Sequence, residues 1–208
     1  MLLDPQIVKS HVKNVTGVLH IGAHNCEEMT FYTDVLGISS HHIYWVEAIP
    51  FKVQEAQNRQ IPNVYQAIIG EYDEESVSFH VSNNIQSSSI LELGTHAIEH
   101  PHVWYVDSYQ GVTTTIDTFF LQHTIDPSTI NFWNLDIQGA ELMALRGATQ
   151  SLSYVDYLYL EVNEKELYKG CGRLEEMDKF LKDKGFERIL TDMTPHGWGD
   201  ALYKSIKR

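Results

Sequence analysis

The chain has 208 residues, 43% of them hydrophobic, which is enough to bury the core of one domain spanning 1–208. Its formal net charge of -13 repels phosphate backbones and anionic lipid headgroups, so we expect no nucleic-acid partner. The two cysteines offer no disulfide framework or paired zinc spacing, the N-terminus lacks a signal-peptide core, and no apolar run is long enough for a membrane span; together these predict a cytoplasmic protein.

Short apolar runs alternate with helical patterns along the chain, which predicts a mostly parallel sheet with helices on both faces. Helical spacing recurs over 142–152 and over 174–181, before Gly185. Because only 192–200 separates the last two strands, we expect them to form an antiparallel hairpin. The predicted strands are Val18–Ile21, Ile43–Glu47, Val64–Ile69, Ile130–Asp136, Tyr157–Val162, Phe186–Thr191 and Ala201–Ile206.

One segment, 71–114, does not follow this alternation. It is rich in Ser, His, Asn and acidic residues, with one predicted strand over 77–81. Long irregular segments within a compact domain are usually binding loops or lids. We therefore predict an insertion or lid at about 71–114.

The first strand ends in a glycine turn, and an acid follows about one βαβ unit later. Gly22 lies directly after 18–21, and Glu47 ends the second strand. This spacing is typical of a nucleotide site in which the turn approaches the cofactor and the acid binds ribose hydroxyls. Only one glycine of a G-x-G-x-x-G pattern is present, which favours a cofactor without phosphates, such as S-adenosylmethionine.

The most specific motif is N-L-D-I-Q-G-A-E at 134–141, followed by L-R-G-A at 145–148. With V-E-A-I-P at 46–50, the serines at 87–89, T-I-D at 115–117 and L-E-V at 160–162, it resembles the FkbM-type S-adenosylmethionine-dependent methyltransferases over most of the chain. The resemblance implies a Rossmann-like class I methyltransferase fold, with a seven-stranded sheet ending in an antiparallel hairpin. It also implies a methyl transfer to a hydroxyl group.

The first family motif usually reads D-x-G-A-[NH]-x-G, and this chain departs from it. His20 replaces the acid, His24 takes the variable position, and Cys26 replaces the last glycine. His20 cannot orient a cofactor ammonium as a carboxylate would, and Cys26 has a side chain where bare backbone is usual. These two positions keep open a non-catalytic binding module on a degenerate fold.

Candidate cofactor-binding residues follow from the strand ends and the matched motifs. Glu47 is assigned to the ribose, the glycine turn to the methionine part, and Ala67 and Ile68 to the adenine, although both could be plain core. The full set is His20, Gly22, Ala23, His24, Glu47, Ala48, Ala67, Ile68, Ser88 and Asp136.

Asp136 ends a strand and is expected to be a buried acid facing the ligand crevice. It could bind the cofactor ammonium, accept the substrate proton or bind a metal. Glu141, near a helix N-terminus, is either catalytic or simply favoured by the helix dipole. Glu161 and Asn163 end the next strand and, with Asp136, could form a magnesium site.

Histidines and aromatic residues supply further candidates. His196, in the predicted hairpin loop, is either an acceptor-side base or a surface turn residue. We expect His96, His100 and His102 to lie in a solvated loop rather than to bind metal, because Pro101 interrupts the helical spacing. Trp104, Tyr105 and Tyr109 either stack on sugar rings or attach the insertion to the core.

These observations predict an S-adenosylmethionine-dependent O-methyltransferase that acts on a small-molecule or glycan acceptor, most simply a sugar hydroxyl. The first alternative is an oxidoreductase with a nicotinamide cofactor, which the missing glycines disfavour. The second is the non-catalytic binding module. The sequence leaves the oligomeric state and the use of a divalent metal open.

Overall fold

The computed structural model describes residues 1–206 and contains ten strands in two sheets. The strands are β1 (Val18–Ile21), β2 (Ile43–Glu47), β3 (Val64–Gln66), β4 (Ile68–Ile69), β5 (Ser76–Ser82), β6 (Tyr105–Thr114), β7 (Phe132–Leu135), β8 (Tyr157–Asn163), β9 (Phe186–Met193) and β10 (Trp198–Ser205).

The α-helices are α1 (Pro5–His11), α2 (Pro50–Asn58), α3 (His96–Glu99), α4 (Ile116–Gln122), α5 (Glu141–Gly147) and α6 (Leu174–Lys184). A π-helical turn at Phe31–Val35 and three 3₁₀ turns at Ser40–His42, Pro127–Thr129 and Ser151–Tyr154 complete the helical structure of residues 1–206. As predicted, α6 stops at Gly185, whose φ of 88° favours glycine.

The larger sheet has seven strands in the order β3-β2-β1-β7-β8-β10-β9. The pairs among β3, β2, β1, β7 and β8 are parallel, whereas β10 runs antiparallel to both β8 and β9. The predicted parallel sheet and its terminal hairpin are therefore confirmed. The strand order reverses between the parallel strands β1 and β7. The crevice beyond their carboxyl ends is therefore the expected ligand position.

Each face of this sheet has its own apolar core. On one face, side chains such as Leu19, Trp133 and Leu160 pack against α4, α5 and α6. On the other, Val18 and Trp45 lie in the core that includes α1, α2 and the π-helical turn. The alternation of successive strand residues between two covered faces explains why these strands are almost uniformly apolar.

The predicted third strand, Val64–Ile69, is wrong as a single element. Val64–Gln66 pairs with β2 in the large sheet, whereas Ile68–Ile69 pairs with β6 in a second sheet of order β4-β6-β5. Ala67 lies between them and donates its N–H to the Glu47 carbonyl at 3.1 Å. A continuous apolar run cannot show that its two halves find partners in different sheets.

The helix predicted to continue to Leu152 instead ends at Gly147. Asp117 in α4 accepts hydrogen bonds from Thr149 Oγ1, Gln150 N and Ser151 N at 2.8 to 2.9 Å, and a further one from Ser151 Oγ. This carboxylate turns the chain into a 3₁₀ turn that still buries Leu152. The Asp of the T-I-D motif is thus a structural residue.

The segment 71–114 contains more regular structure than its composition indicates. The strand predicted over 77–81 is present as β5, but its partner β6 was missed. Tyr, Val and Thr in 105–114 were a strand signal that the polar residues between them obscured.

None of the helices found within residues 1–206 has the length and apolarity that crossing a membrane requires.

We predict that Asp117→Ala lowers the free energy of unfolding by about 2 to 3 kcal/mol, because it leaves several donors of one turn without their acceptor. Denaturant unfolding measures the change. Asp107→Ala is the matched control. Asp107 is exposed, and among residues 1–206 its carboxylate accepts only from the adjacent Ser108 N–H. Equal stabilities of the two variants would contradict the structural role of Asp117.

Candidate cofactor and acceptor site

The turn after β1 lies against the end of β7 with no space for a side chain. Gly22 has a φ of +90°, and a Cβ there would lie 1.8 Å from the Asp136 carbonyl oxygen. The N–H groups of Gly22 and Ala23 both donate to the Val46 carbonyl, at 2.9 and 3.1 Å. Three strand ends are thereby held together by main-chain contacts, which only glycine at position 22 permits.

Two further residues of this motif, at the [NH] position and at the last position, have a left-handed backbone conformation. His24 has a φ of 42° and Cys26 a φ of 56°. This conformation explains why the family usually has glycine at position 26, since a residue with a side chain adopts it only with some strain. Cys26 is nevertheless buried in the core beneath the turn, and burial raises the pKa of its thiol to about 12.

Glu47, at the carboxyl end of β2, is buried beside this turn. Its Oε2 accepts from the His24 N–H at 2.7 Å and its Oε1 from the Ile49 N–H at 2.8 Å. Burial raises the pKa of Glu47, and these N–H donors lower it in part. Each carboxylate oxygen has a second lone pair, so the side chain is fixed and can still accept from a hydroxyl.

A largely apolar cavity, here called the apolar cavity, runs from the turn past Glu47. Eight of the candidate cofactor residues line it: Gly22, His24, Glu47, Ala48, Ala67, Ile68, Ser88 and Asp136. Its remaining apolar wall comes from both sheets, with Phe79 and Ile90 from the 71–114 segment. An apolar space bordered by the Glu47 and Asp136 carboxylates is the kind of site that an adenosine group uses.

A second, polar cavity of about 460 Å³ adjoins the first. The two have in common Gly22, His24, Gln86, Asp136 and Gln138. His20 and Glu161 line only the polar cavity. The arrangement therefore offers two compartments that meet at Asp136, which is the requirement for a group transfer between two ligands.

Asp136 is not the buried acid that the sequence predicted, since its side chain is exposed to the cavity. The reason is that β7 ends at Leu135, so Asp136 lies beyond the sheet edge. Its Oδ1 accepts from Gln138 Nε2 at 2.7 Å. The Asp136 carboxylate also interacts with the Glu161 carboxyl group, and the side chain lines the polar cavity.

Gln138 connects Asp136 to a buried acid. Its Nε2 also donates to Glu161 Oε2, and its Oε1 accepts from the Tyr168 hydroxyl. Burial, followed by the nearby charge of Asp136, raises the pKa of Glu161 well above its usual value. The protonated form of Glu161 is therefore favoured more than it would be in an exposed carboxyl group.

Glu141 lines neither cavity within the described chain. Its Oε1 accepts from the N–H groups of Ile137 and Gly139, at 2.8 and 3.2 Å. This carboxyl group is buried and shapes the loop that carries Gln138. The geometry thus supports a structural reading of Glu141 over a catalytic one.

Three other candidates lie away from both cavities as the structure describes them. Ala23 is buried in the core, His196 is an exposed loop residue whose Nδ1 lies 3.3 Å from Glu99 Oε2, and Asn163 is fully buried. Across residues 1–206, no group of three His, Cys, Asp or Glu side chains is arranged to hold a metal. The geometry gives no support to a magnesium site at Asp136, Glu161 and Asn163.

The solvated loop that we predicted for His96, His100 and His102 is wrong for the buried His96, whereas His102 is exposed in a turn. His96 begins the short helix α3 and is only 6% exposed, because its ring packs at 5.3 Å from that of Tyr168. His96, His100 and His102 all line the polar cavity. The helix ends at Glu99, two residues before Pro101, as the proline requires.

Tyr109 attaches this segment to the end of β2 in the large sheet, whereas Tyr105 holds two parts of the segment together. The Tyr109 hydroxyl donates to the Ala48 carbonyl at 2.9 Å, directly after Glu47. The Tyr105 hydroxyl donates to the Leu91 carbonyl at 2.6 Å, whereas Trp104 is 55% exposed. The structural reading of the two tyrosines is favoured over stacking on a sugar.

Several lining residues were not singled out from the sequence. Gln138 stands within the strongest motif, so its position was a usable signal. Ser87 lies in the serine run that the sequence already showed. Other polar lining residues come from distant segments and carried no local signal: Glu27, Glu28, Asn84, Gln86 and Asp200.

The Methyltransferase FkbM domain model matches residues 20–188. The chain belongs to the FkbM methyltransferase family. No curated protein sequence matches this FkbM-family chain. Its strand order is that of the class I methyltransferase fold, as the sequence predicted.

Two solved structures resemble this FkbM-family chain in fold. Methyltransferase FkbM from Methylobacillus flagellatus KT aligns with 94% of this chain and 45% of its own, at 15% identity and a TM-score of 0.60. Sp1610 of Streptococcus pneumoniae, a proposed tRNA (m1A22) methyltransferase, aligns with 99% of this chain and 71% of its own, at 11% identity and a TM-score of 0.53. The chain thus spans less than half the length of the first protein.

We predict that the stability of this FkbM-family chain falls between about pH 4.5 and about pH 8 through Glu141. Burial raises the pKa of Glu141 from 4.5 to about 8, so the folded state holds a proton that the unfolded state releases over this interval. Urea unfolding across this range measures the slope.

In Glu141→Gln, the fall should be smaller, because the amide oxygen keeps the contacts to Ile137 and Gly139 without titrating. Glu161 contributes in the same direction, so part of the slope should remain. Glu187→Gln, at an exposed position, should retain the whole slope. An unchanged slope in Glu141→Gln would show that Glu141 is ionised in the folded state.

Proposed function

We propose that this chain is an S-adenosylmethionine-dependent O-methyltransferase whose acceptor is an uncharged polyol, such as a sugar or glycan precursor. The observation that carries the proposal is the meeting of the two cavities at Asp136, in a chain of a methyltransferase family. The proposal includes the use of 71–114 as a lid over both cavities and a cytoplasmic location.

The residues present fit this cofactor. The apolar cavity would hold the adenine between Ala67, Ile68 and Phe79, and Glu47 would bind the ribose hydroxyls. Gly22 lines both cavities, so its main chain would border the methionine part. The absence of further glycines for a pyrophosphate favours this cofactor over a nicotinamide dinucleotide.

When bound, the cofactor supplies an electrophilic methyl group on a sulfonium. The chain's contribution is to align the acceptor oxygen with that methyl carbon, since orientation is the main gain in an in-line displacement. The Asp136 carboxylate would accept the proton that the acceptor hydroxyl loses when it is methylated. Gln138 holds Oδ1 and keeps the carboxylate turned towards the acceptor.

The lining of the polar cavity favours an acceptor without phosphate groups. Acidic residues and histidines are numerous there, whereas no Lys or Arg is among the lining residues of the described chain. A phosphate or nucleotide-linked sugar would find no Lys or Arg there among the described residues and would meet the charge of -13 on approach. A cavity of about 460 Å³ lies within the usual size range of small-molecule sites.

We predict that S-adenosylhomocysteine raises the melting temperature of the protein and that NAD does not, because a ligand stabilises the fold only if it binds the folded state. Glu47→Ala should weaken S-adenosylhomocysteine by roughly tenfold or more in calorimetry, through loss of the ribose contacts. Glu55→Ala, on the exposed face of α2, should bind normally. Stabilisation by NAD alone would favour an oxidoreductase, and stabilisation by neither would favour a non-catalytic module.

We predict that Asp136→Asn lowers kcat by about 10² to 10⁴ on an acceptor that the wild-type protein methylates. This is the usual effect of removing a general base. Single-turnover transfer of labelled methyl to a panel of neutral glycosides gives the measurement. Asp183→Asn, an exposed change in α6, is the control. Full turnover by Asp136→Asn would show that another group accepts the proton of the acceptor hydroxyl.

A further inference from the structure

A buried chain of three side chains connects the ends of β1 and β7 below the polar cavity. His20 and Asn134 are paired in register on these two strands. Tyr32, in the π-helical turn, lies over both, with its hydroxyl 2.9 Å from His20 Nδ1 and 2.7 Å from Asn134 Nδ2. All three side chains are buried, so these contacts satisfy one another without water.

The chain of hydrogen bonds determines which nitrogen of His20 carries the proton. The Asn134 amide donates to the Tyr32 oxygen, and the Tyr32 hydroxyl then has His20 Nδ1 as its acceptor. Burial raises the pKa of Tyr32 well above its usual value, so the hydroxyl keeps its proton. Burial lowers the pKa of His20, so the imidazole is neutral, with its one proton on Nε2.

The imidazole of His20 lines the polar cavity, next to Gly22 and Asp136, and its Nδ1 lies 3.9 Å from Glu28 Oε2. Within residues 1–206, Nε2 has no hydrogen-bond partner, and it is not one of the fully buried unpartnered atoms. A fixed donor without a partner therefore lies beside the turn assigned to the methionine part of the cofactor.

We propose that His20 donates from Nε2–H to the carboxylate of the cofactor's amino-acid part, and that Tyr32 and Asn134 are positioning residues that hold this tautomer. The inference rests on the proposed cofactor. The change from an acid to His20 then replaces an acceptor with a donor, so this position binds the anionic end of the amino acid instead of the ammonium. Asp136 and Glu28, which face the same cavity, remain available to the ammonium.

Three ligands separate this contact from the rest of the site: S-adenosylhomocysteine, its decarboxylated analogue S-adenosyl-3-thiopropylamine, and 5′-methylthioadenosine. In calorimetry, His20→Leu should weaken S-adenosylhomocysteine by about tenfold to a hundredfold, the usual range for a hydrogen bond to a charged group. The other two ligands should change by no more than about twofold, because they lack the carboxylate. His20→Gln retains an N–H donor and should recover part of the affinity.

Tyr32→Phe tests the positioning role separately. We expect it to weaken S-adenosylhomocysteine by about threefold to tenfold, with no effect on 5′-methylthioadenosine, since the imidazole is then free to take either tautomer. Nitrogen NMR of the imidazoles, with His20 assigned from His20→Gln, should show the proton on Nε2 in the wild type and a mixture in Tyr32→Phe. Tyr65→Phe is the matched control, because Tyr65 packs on Phe119 and its hydroxyl makes no hydrogen bond to the described residues.

Equal weakening of all three ligands by His20→Leu would overturn the carboxylate contact, and a wild-type proton on Nδ1 would overturn the positioning role. If the wild type binds neither S-adenosylhomocysteine nor 5′-methylthioadenosine, the proposed function fails first and the inference falls with it. Binding of 5′-methylthioadenosine by every variant shows that a selective loss is not caused by misfolding.

Discussion

The site depends on the close approach of Gly22 to the main chain of Asp136. A Cβ at position 22 would lie 1.8 Å from the Asp136 carbonyl oxygen, so the turn after β1 can lie against the end of β7 only without a side chain. The same turn donates two N–H groups to the end of β2. Three strand ends, and the side chains that follow them, are therefore fixed relative to one another by backbone rather than by adaptable side chains.

This constraint brings unlike carboxyl groups into one crevice. Glu47 is held by two N–H donors, Glu161 is buried with a pKa raised by that burial, and Asp136 is exposed to the cavity. Gln138 contacts both Asp136 and Glu161, so its amide connects an exposed acid with a buried one.

Much of the fold could be predicted because its signals are local. The apolar runs, the Gly185 cap and the short connection before β10 each act within a few residues, and the structure confirms the elements they predict. The failures are positions where a distant partner decides. The run over 64–69 divides between two sheets, and Asp117 ends α5 from another helix. Asp136 was expected to be buried because the register of its strand end was unknown.

By itself, the sequence determined most of the strands, the terminal hairpin, the family motif around Asp136 and the acid at the end of β2, because each depends on residue type and short spacing. Only the tertiary structure decided which side chains share a cavity. It placed His20 beside Asn134, with the Tyr32 hydroxyl in contact with both. It also buried His96 against Tyr168 and left His196 and Asn163 out of the lining of both cavities. The physical reason is that these contacts join residues far apart in the chain, and their geometry is set by packing across strands and across the 71–114 segment.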